Sequence, residues 1–197
     1  MPITTLFLDI GGIILTNGWD RHSRERAANA FNLDLAEMES RHNATFDTLE
    51  IGKLSLSDYL KRVVFYCKRS FTETEFQKFM FSQSKPFPQM LELIKDIKAR
   101  YNLKVFAVSN EARELNEYRI KKFKLASIID CFISSCYIHV RKPDFEMYRI
   151  ALDVSQSTPN EVLYIDDRLM FVQVAESMKI RGLHHIDYES TCKKLTA

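Results

Sequence analysis

Short apolar segments alternate with longer amphipathic segments along much of the chain. The short segments predict buried strands, because a strand that is covered on both faces is continuously apolar. The longer segments carry apolar residues at helical spacing. Strands that alternate with helices favour an α/β fold, a Rossmann-like parallel sheet flanked by helices on both faces. The predicted strands lie at about residues 4–9, 104–110, 132–135, 162–167 and 183–186.

The stretch from residue 17 to residue 85 has helical periodicity and no good strand. Four helices are predicted there, and Gly52 ends the second. The fourth begins at Thr72, whose spacing to Glu75 fits a capping box. Helical sequence placed directly after the first strand predicts an inserted four-helix cap. The proposed bounds are 17–85 for the cap and 1–16 with 86–197 for the α/β core. The predicted cap helices cover about 19–31, 35–49, a segment capped by Ser55 or Ser57, and a segment from Thr72.

Composition narrows the class of protein. The 197 residues are 46% hydrophobic and 27% charged, which is typical of a soluble globular chain. A net charge of +2 gives no strong attraction to nucleic acid or membranes. There is no secretory leader and no apolar run of membrane-spanning length, so we expect a cytoplasmic protein. The four cysteines form no CxxC pair, which argues against a zinc site. The oligomeric state stays open between a monomer and a weak homodimer.

Polar side chains follow the apolar segments at the points where the predicted strands or loops end. Because parallel strands end at one edge of a sheet, we expect these side chains to converge. Asp9 and Asp166 would form a hard oxygen site that suits Mg²⁺. Lys142 supplies positive charge, and Ser109 with the backbone N–H of Asn110 suits a phosphoryl group. This set predicts phosphoryl transfer through an aspartyl-phosphate intermediate. The residues concerned are Asp9, Ser109, Asn110, Lys142, Asp166 and Asp167.

Short motifs surround these side chains at Asp9-Ile10-Gly11-Gly12, Val108-Ser109-Asn110, Arg141-Lys142-Pro143-Asp144 and Ile165-Asp166-Asp167. In this order they resemble the motifs of the haloacid dehalogenase-like superfamily of hydrolases. The stretch 17–85 is similar to the helical cap of that family. The resemblance implies that Asp9 is the nucleophile and that Ser109, Asn110 and Lys142 bind phosphate. It also implies that Asp9, the carbonyl of Gly11 and Asp166 hold Mg²⁺, with support from Asp167. The expected substrate is a small phosphorylated metabolite such as a sugar phosphate.

Two positions depart from the family pattern. Phosphatases of this family usually carry a second Asp two residues after the nucleophile, and that position is Gly11 here. The missing group would transfer a proton, a contribution of about 10²–10⁴-fold. Histidine is a residue type that can transfer protons near neutrality, so His139 is one substitute, although a loop histidine with no role is the favoured interpretation. Phe171 stands where relatives usually have a polar residue, and we expect it to be a core residue.

Three functions are compatible with these residues. A Mg²⁺-dependent phosphatase is favoured by the set of strand-end side chains. A metal-independent 2-haloacid dehalogenase is disfavoured, because those relatives lack the paired carboxylates Asp166 and Asp167. A module without catalysis, which binds a phospho-ligand or a protein, is motivated by Gly11 and Phe171.

Overall fold

A computed structural model describes residues 2–196 of the chain. Five parallel strands form one sheet in the order β3-β2-β1-β4-β5, which confirms the predicted α/β fold. β1 is central and completely buried, as its apolar sequence predicts. Leu8, its last residue, lies beside Ala107 on one side and Ile165 on the other. The strands are β1 (Thr5–Leu8), β2 (Lys104–Ser109), β3 (Cys131–Ser134), β4 (Val162–Asp166) and β5 (Arg181–His184).

The last strand lies two residues earlier than the sequence predicts. We expected 183–186, whereas β5 pairs Arg181 with Leu163 and ends where His184 lies beside Asp166. Ile186 is 71% exposed and lies outside the sheet. Gly182 explains the difference, because a Cβ atom there would lie 2.5 Å from a side-chain carbon of Val172. A glycine that looks like a turn residue in the sequence allows the preceding helix, which contains Val172, to approach the strand.

Five helices, not four, lie between β1 and the long helix that precedes β2. The segment 35–49 forms two helices, because the hydroxyl of Thr45 donates a hydrogen bond to the carbonyl of Arg41 and the backbone turns there. Ser55 caps the next helix, and the predicted capping box of Thr72 and Glu75 is present. The helices are α1 (Arg21–Phe31), α2 (Leu35–Asn43), α3 (Phe46–Glu50), α4 (Leu56–Val63) and α5 (Glu73–Ser82).

These five helices share an apolar core that includes Leu60, Phe76 and Met80. The same cluster contains Ala112 and Leu115, so the cap packs directly on the α/β core. The chain leaves and returns side by side, since the backbone N–H of Thr16 donates to the carbonyl of Lys85 over 2.8 Å. On this ground we retain 17–85 as the proposed bounds of the cap.

The remaining helices cover the two faces of the sheet. Leu6 and Leu8 face one apolar cluster, and Phe7 faces another, because successive side chains of a strand point to opposite faces. Among residues 2–196, no helix has the length and apolar character needed to cross a membrane. The helices are α6 (Pro88–Tyr101), α7 (Arg113–Lys122), α8 (Ser135–Ile138), α9 (Phe145–Ser155), α10 (Leu169–Ser177) and α11 (Tyr188–Thr196), with short 3₁₀ turns at Leu125–Ser127 and Pro159–Glu161.

Candidate active site

Asp9 directly follows β1, and its carboxylate is oriented by the neighbouring strand. Its Oδ1 atom accepts hydrogen bonds from the hydroxyl of Ser109 at 2.6 Å and from the backbone N–H of Ile10 at 2.8 Å. Nζ of Lys142 lies 3.3 Å from the same oxygen. Burial raises the pKa of Asp9 to about 6; the charge of Lys142 opposes this rise and that of Asp166 adds to it. The predicted convergence of these side chains is therefore present.

Lys142 and Asp166 form a buried ion pair behind Asp9. Nζ of Lys142 donates to Oδ2 of Asp166 over 2.6 Å. The hydroxyl of Tyr164 donates to the same oxygen, and the backbone N–H of Arg168 donates to Oδ1 over 2.8 Å. Burial alone would lower the pKa of Lys142, but the carboxylates of Asp9 and Asp166 outweigh it and raise that pKa. Lys142 is thus a permanent positive charge at this site.

Asn110 fixes the loop that carries Lys142. Its side chain donates to the carbonyl of Lys142 over 2.9 Å and accepts from the N–H of Lys142 over 2.8 Å. These reciprocal hydrogen bonds hold the backbone of Lys142 against the end of β2. The side chain of Asn110 therefore positions Lys142, a contact that the sequence did not predict.

Three carboxylates meet beside Lys142. Oxygen atoms of Asp9, Asp166 and Asp167 lie within 4.8 Å of one another. Oδ1 of Asp167 is buried and has no hydrogen-bond partner among residues 2–196. Burial and the charge of Asp166 raise the pKa of Asp167. A cluster of hard oxygen atoms that includes an unpartnered one fits a divalent cation such as Mg²⁺.

The two glycines after Asp9 leave space for different neighbours. Gly12 has a φ of 74°, and a Cβ atom there would lie 2.2 Å from Oδ2 of Asp167. A Cβ atom on Gly11 would lie 2.7 Å from Oδ1 of Asn17. The side chain of Asn17 therefore fills the space beside Gly11, and its amide also lies 3.4 Å from Oδ2 of Asp167. An amide can donate a hydrogen bond, but it does not transfer a proton at neutral pH.

A cavity of about 110 Å³ lies between the core and the cap. Asp9, Gly11, Asn110 and Lys142 line it from the core. The cap contributes apolar side chains and two carboxylates. Its lining residues include Trp19, Asp20, Phe46, Leu49, Glu50 and Met80.

Two side chains that the sequence singled out, His139 and Phe171, have structural contacts. His139 is exposed and lies outside this cavity, where its Nδ1 atom is 2.7 Å from the carbonyl oxygen of Ile51. Phe171 is 4% exposed and packs in the apolar cluster on the Phe7 face of the sheet. Its ring centroid lies 5.2 Å from Nζ of Lys142. Phe171 is therefore a core residue, as expected, that also borders the site.

Sequence reasoning missed several polar residues of the site. Tyr164 was predictable, because it lies two positions before Asp166 and so points to the same face of β4. Glu111 and Arg119 form a buried ion pair beside the cavity, and Arg119 also donates to the carbonyl of Thr16 over 2.6 Å. Nothing in the spacing of these two residues distinguishes them from exposed helical positions.

The sequence profile of the haloacid dehalogenase-like hydrolases matches residues 21–184, well over half of the chain. The chain belongs to the haloacid dehalogenase-like hydrolase family. The match begins after the segment that contains Asp9 and Gly11, so the family assignment does not depend on that segment.

Solved structures of this family share the fold. A family enzyme from Bacteroides thetaiotaomicron is 18% identical with a TM-score of 0.81, and the match covers 94% of this chain and 95% of that one. The same enzyme in complex with magnesium and inorganic phosphate also has a TM-score of 0.81 at 18% identity, over 96% and 98% of the two chains. A predicted hydrolase of this type from Porphyromonas gingivalis is 20% identical with a TM-score of 0.78, and the match covers 100% of this chain and 98% of that one.

One curated relative has a named activity. A sesquiterpene phosphatase of Aspergillus oryzae is 27% identical over 112 residues. The match covers 56% of this chain and 56% of the fungal protein, so the chain aligns with about half the length of that relative.

Proposed function

We propose that this hydrolase is a Mg²⁺-dependent phosphatase that cleaves phosphomonoesters through an aspartyl-phosphate on Asp9. The observation that carries the proposal is the position of Asp9. Its carboxylate touches the hydroxyl of Ser109 and the ammonium of Lys142, and it belongs to the cluster of three carboxylates. This arrangement supports the assignment of Asp9 as the nucleophile, Ser109 and Lys142 as phosphate-binding groups and the carboxylate cluster as the cation site.

Asp9, Asp167 and the carbonyl of Gly11 would hold Mg²⁺. The sequence favoured Asp166 as the ligand and Asp167 as its support, and we propose to exchange these roles. Both oxygens of Asp166 already accept hydrogen bonds, whereas Oδ1 of Asp167 accepts none from residues 2–196. When bound, Mg²⁺ supplies a Lewis acid that neutralises charge on the phosphoryl oxygens.

The chain's own residues account for phosphoryl transfer to Asp9. Ser109 and Lys142 bind the phosphoryl oxygens and hold the phosphorus atom facing the carboxylate of Asp9. Asp9 attacks the phosphorus, and the bond to the ester oxygen breaks. Water then hydrolyses the aspartyl-phosphate, which releases inorganic phosphate and restores Asp9. Asp166 keeps Lys142 charged and correctly placed through both steps.

The cavity favours a small substrate. Its volume of about 110 Å³ is far below the roughly 300–1,000 Å³ of sites for drug-sized ligands. A water molecule takes up about 30 Å³, so there is room for a phosphoryl group and a few further atoms. A sesquiterpenyl chain would have to extend out of this cavity. A small phosphorylated metabolite therefore suits the site better than the substrate class of the fungal relative.

The test is phosphate release from a panel of small phosphomonoesters with Mg²⁺. We expect turnover by the wild-type protein, loss of turnover on addition of EDTA, and no turnover by Asp9→Asn. Asp153→Asn, a change at an exposed position on α9, is the matched control and should behave as wild type. Phosphate release no faster than that of Asp9→Asn on every substrate would favour the binding module. Chloride release from a 2-chloro acid without metal would favour the dehalogenase.

A further inference from the structure

Glu50, at the end of α3, places a carboxyl group in the cavity for which the steps above have no role. The proposed reaction lacks such a group, because none of the residues named in those steps protonates the leaving oxygen. The family's usual proton donor is replaced by Gly11, and the space beside Gly11 holds the amide of Asn17. A group that protonates the leaving oxygen therefore has to come from another element.

The backbone around Glu50 is fixed to the α/β core. The hydroxyl of Ser135 donates to the carbonyl of Glu50 over 2.6 Å, and Nδ1 of His139 lies 2.7 Å from the carbonyl oxygen of Ile51. Gly52 has a φ of 70°, and a Cβ atom there would lie 2.1 Å from the carbonyl oxygen of Cys136. Glu50 is thus held against α8 even though it belongs to the cap.

The side chain of Glu50 is poised for proton transfer. Oε2 is buried, lies 3.0 Å from Nη2 of Arg141 and accepts no well-formed hydrogen bond from residues 2–196. Burial is the main cause that raises the pKa of Glu50 to about 7, and the negative charges of Glu111 and Asp9 raise it further. The positive charges of Arg168 and Lys142 oppose this rise. The guanidinium of Arg141 also pairs with Asp47. The charged groups that face Glu50 are Asp9, Asp47, Glu111, Arg141, Lys142 and Arg168.

The other titratable side chains of the cavity are engaged elsewhere. Glu111 is paired with Arg119. Asp20 caps α1 and accepts from the N–H of Ser23 over 2.8 Å. His42 pairs through Nδ1 with the hydroxyl of Tyr59 at 2.8 Å. Glu50 differs from these groups, because its ion pair with Arg141 at 3.0 Å leaves Oε2 without a hydrogen-bond partner among residues 2–196.

We propose that Glu50 is the general acid and base of the reaction, a role that rests on the proposed phosphatase function. As Asp9 bonds to phosphorus, the ester P–O bond breaks and its electron pair stays on the leaving oxygen. That oxygen takes the proton of Glu50 and leaves as an alcohol. The Glu50 carboxylate then takes a proton from the water whose oxygen attacks the phosphorus. The P–O bond to Asp9 breaks, and its electron pair returns to the Asp9 carboxylate.

The test compares Glu50→Gln with wild type on two substrates. An alkyl phosphate needs a proton on its leaving oxygen, whereas 4-nitrophenyl phosphate leaves as a stable anion. We expect kcat/KM of Glu50→Gln to fall by about 10²–10⁴-fold on the alkyl ester and to change little on the nitrophenyl ester. Because the base is also missing, kcat on the nitrophenyl ester should fall and a burst of nitrophenol should precede slow turnover.

Asp47→Asn is the matched control, because Asp47 pairs with the same Arg141 but lies outside the cavity. It should match wild type on both esters. Wild-type kcat/KM on the alkyl ester should fall as pH rises above about 7, and Glu50→Gln should lack that decline. Equal losses on both esters, no loss on the alkyl ester, or the same loss in Asp47→Asn would overturn the role of Glu50. Activity in Asp9→Asn, or none in wild type, would instead overturn the phosphatase function.

Discussion

Nζ of Lys142 donates a 2.6 Å hydrogen bond to Oδ2 of Asp166, and both side chains are completely buried. Tyr164 completes the pair by donating to the same carboxylate. A buried ion pair depends on both partners, since removal of one leaves an uncompensated charge in a medium of low polarity. The pair therefore links the stability of the fold to the geometry around Asp9.

Lys142→Met should destabilise the protein by about 3–5 kcal/mol, because Asp166 would keep a buried charge without its partner. Urea unfolding followed by circular dichroism measures this loss. The double variant Lys142→Met with Asp166→Asn should recover part of it, since the buried charge is removed as well. A single variant within about 1 kcal/mol of wild type would show that the pair does not hold the site together, because such a value is typical of exposed pairs.

Gly12→Ala should weaken Mg²⁺ binding by about 10–100-fold, the range seen when groups around a metal site are disturbed. The added Cβ atom would lie 2.2 Å from Oδ2 of Asp167, and a φ of 74° is strained for alanine. Isothermal titration calorimetry with Mg²⁺ measures the effect. Asp167→Asn, which removes the proposed ligand charge directly, should show a comparable loss. Wild-type affinity in Gly12→Ala would contradict the placement of the metal beside Asp167.

Much of the site was predictable because parallel strands end at one edge of a sheet. Asp9 and Ser109 stand at the ends of neighbouring strands, and Asp166 ends the strand on the other side of β1. Chain order and strand length alone therefore bring these three residues together. Lys142 follows from the same topology, since its loop leads from β3 back toward the site.

The contributions of the cap were not predictable in this way. Glu50 and Asn17 reach the site through the docking of α3 on α8 and through a loop whose path no periodicity encodes. The division of 35–49 into two helices falls at Thr45, whose hydroxyl donates to the carbonyl of Arg41. Contacts between separate layers depend on three-dimensional fit, which a pattern of apolar positions does not describe.

Gly11→Asp should restore the family's proton donor once Asn17 no longer fills the space. In the Glu50→Gln background, we expect Gly11→Asp with Asn17→Ala to raise kcat/KM on an alkyl phosphate by at least about tenfold, a small part of what general acid catalysis contributes. The matched control is Glu50→Gln with Asn17→Ala alone. Gly11→Asp without the Asn17 change should give a smaller gain in kcat/KM, because the Cβ atom of the new side chain would lie 2.7 Å from Oδ1 of Asn17. No gain over the control would mean that the site lacks something other than a proton donor.

His42 makes the stability of the cap depend on pH. The buried hydroxyl of Tyr59 accepts from Nε1 of Trp19 over 2.9 Å and lies 2.8 Å from Nδ1 of His42. An unprotonated Nδ1 can accept the hydrogen of that hydroxyl, whereas a protonated ring cannot. Burial, and then the charge of Arg24, lowers the pKa of His42 to about 4. Unfolded histidine titrates near 6.5, so between pH 6.5 and 4 the unfolded chain binds a proton that the folded chain does not. Folding free energy is therefore lost as pH falls through this range, by up to about 1.4 kcal/mol per pH unit.

His42→Gln should reduce this acid sensitivity, because glutamine offers an acceptor oxygen and does not titrate. Urea unfolding at pH 6.5 and pH 4.5 should show a smaller loss of stability in the variant than in wild type. The comparison cancels the contributions of the other titrating groups, which both proteins share. NMR titration of the His42 ring in the wild-type protein provides the independent check. A ring that titrates near 6.5, or equal losses in the two proteins, would contradict the hydrogen-bonded arrangement of Trp19, Tyr59 and His42.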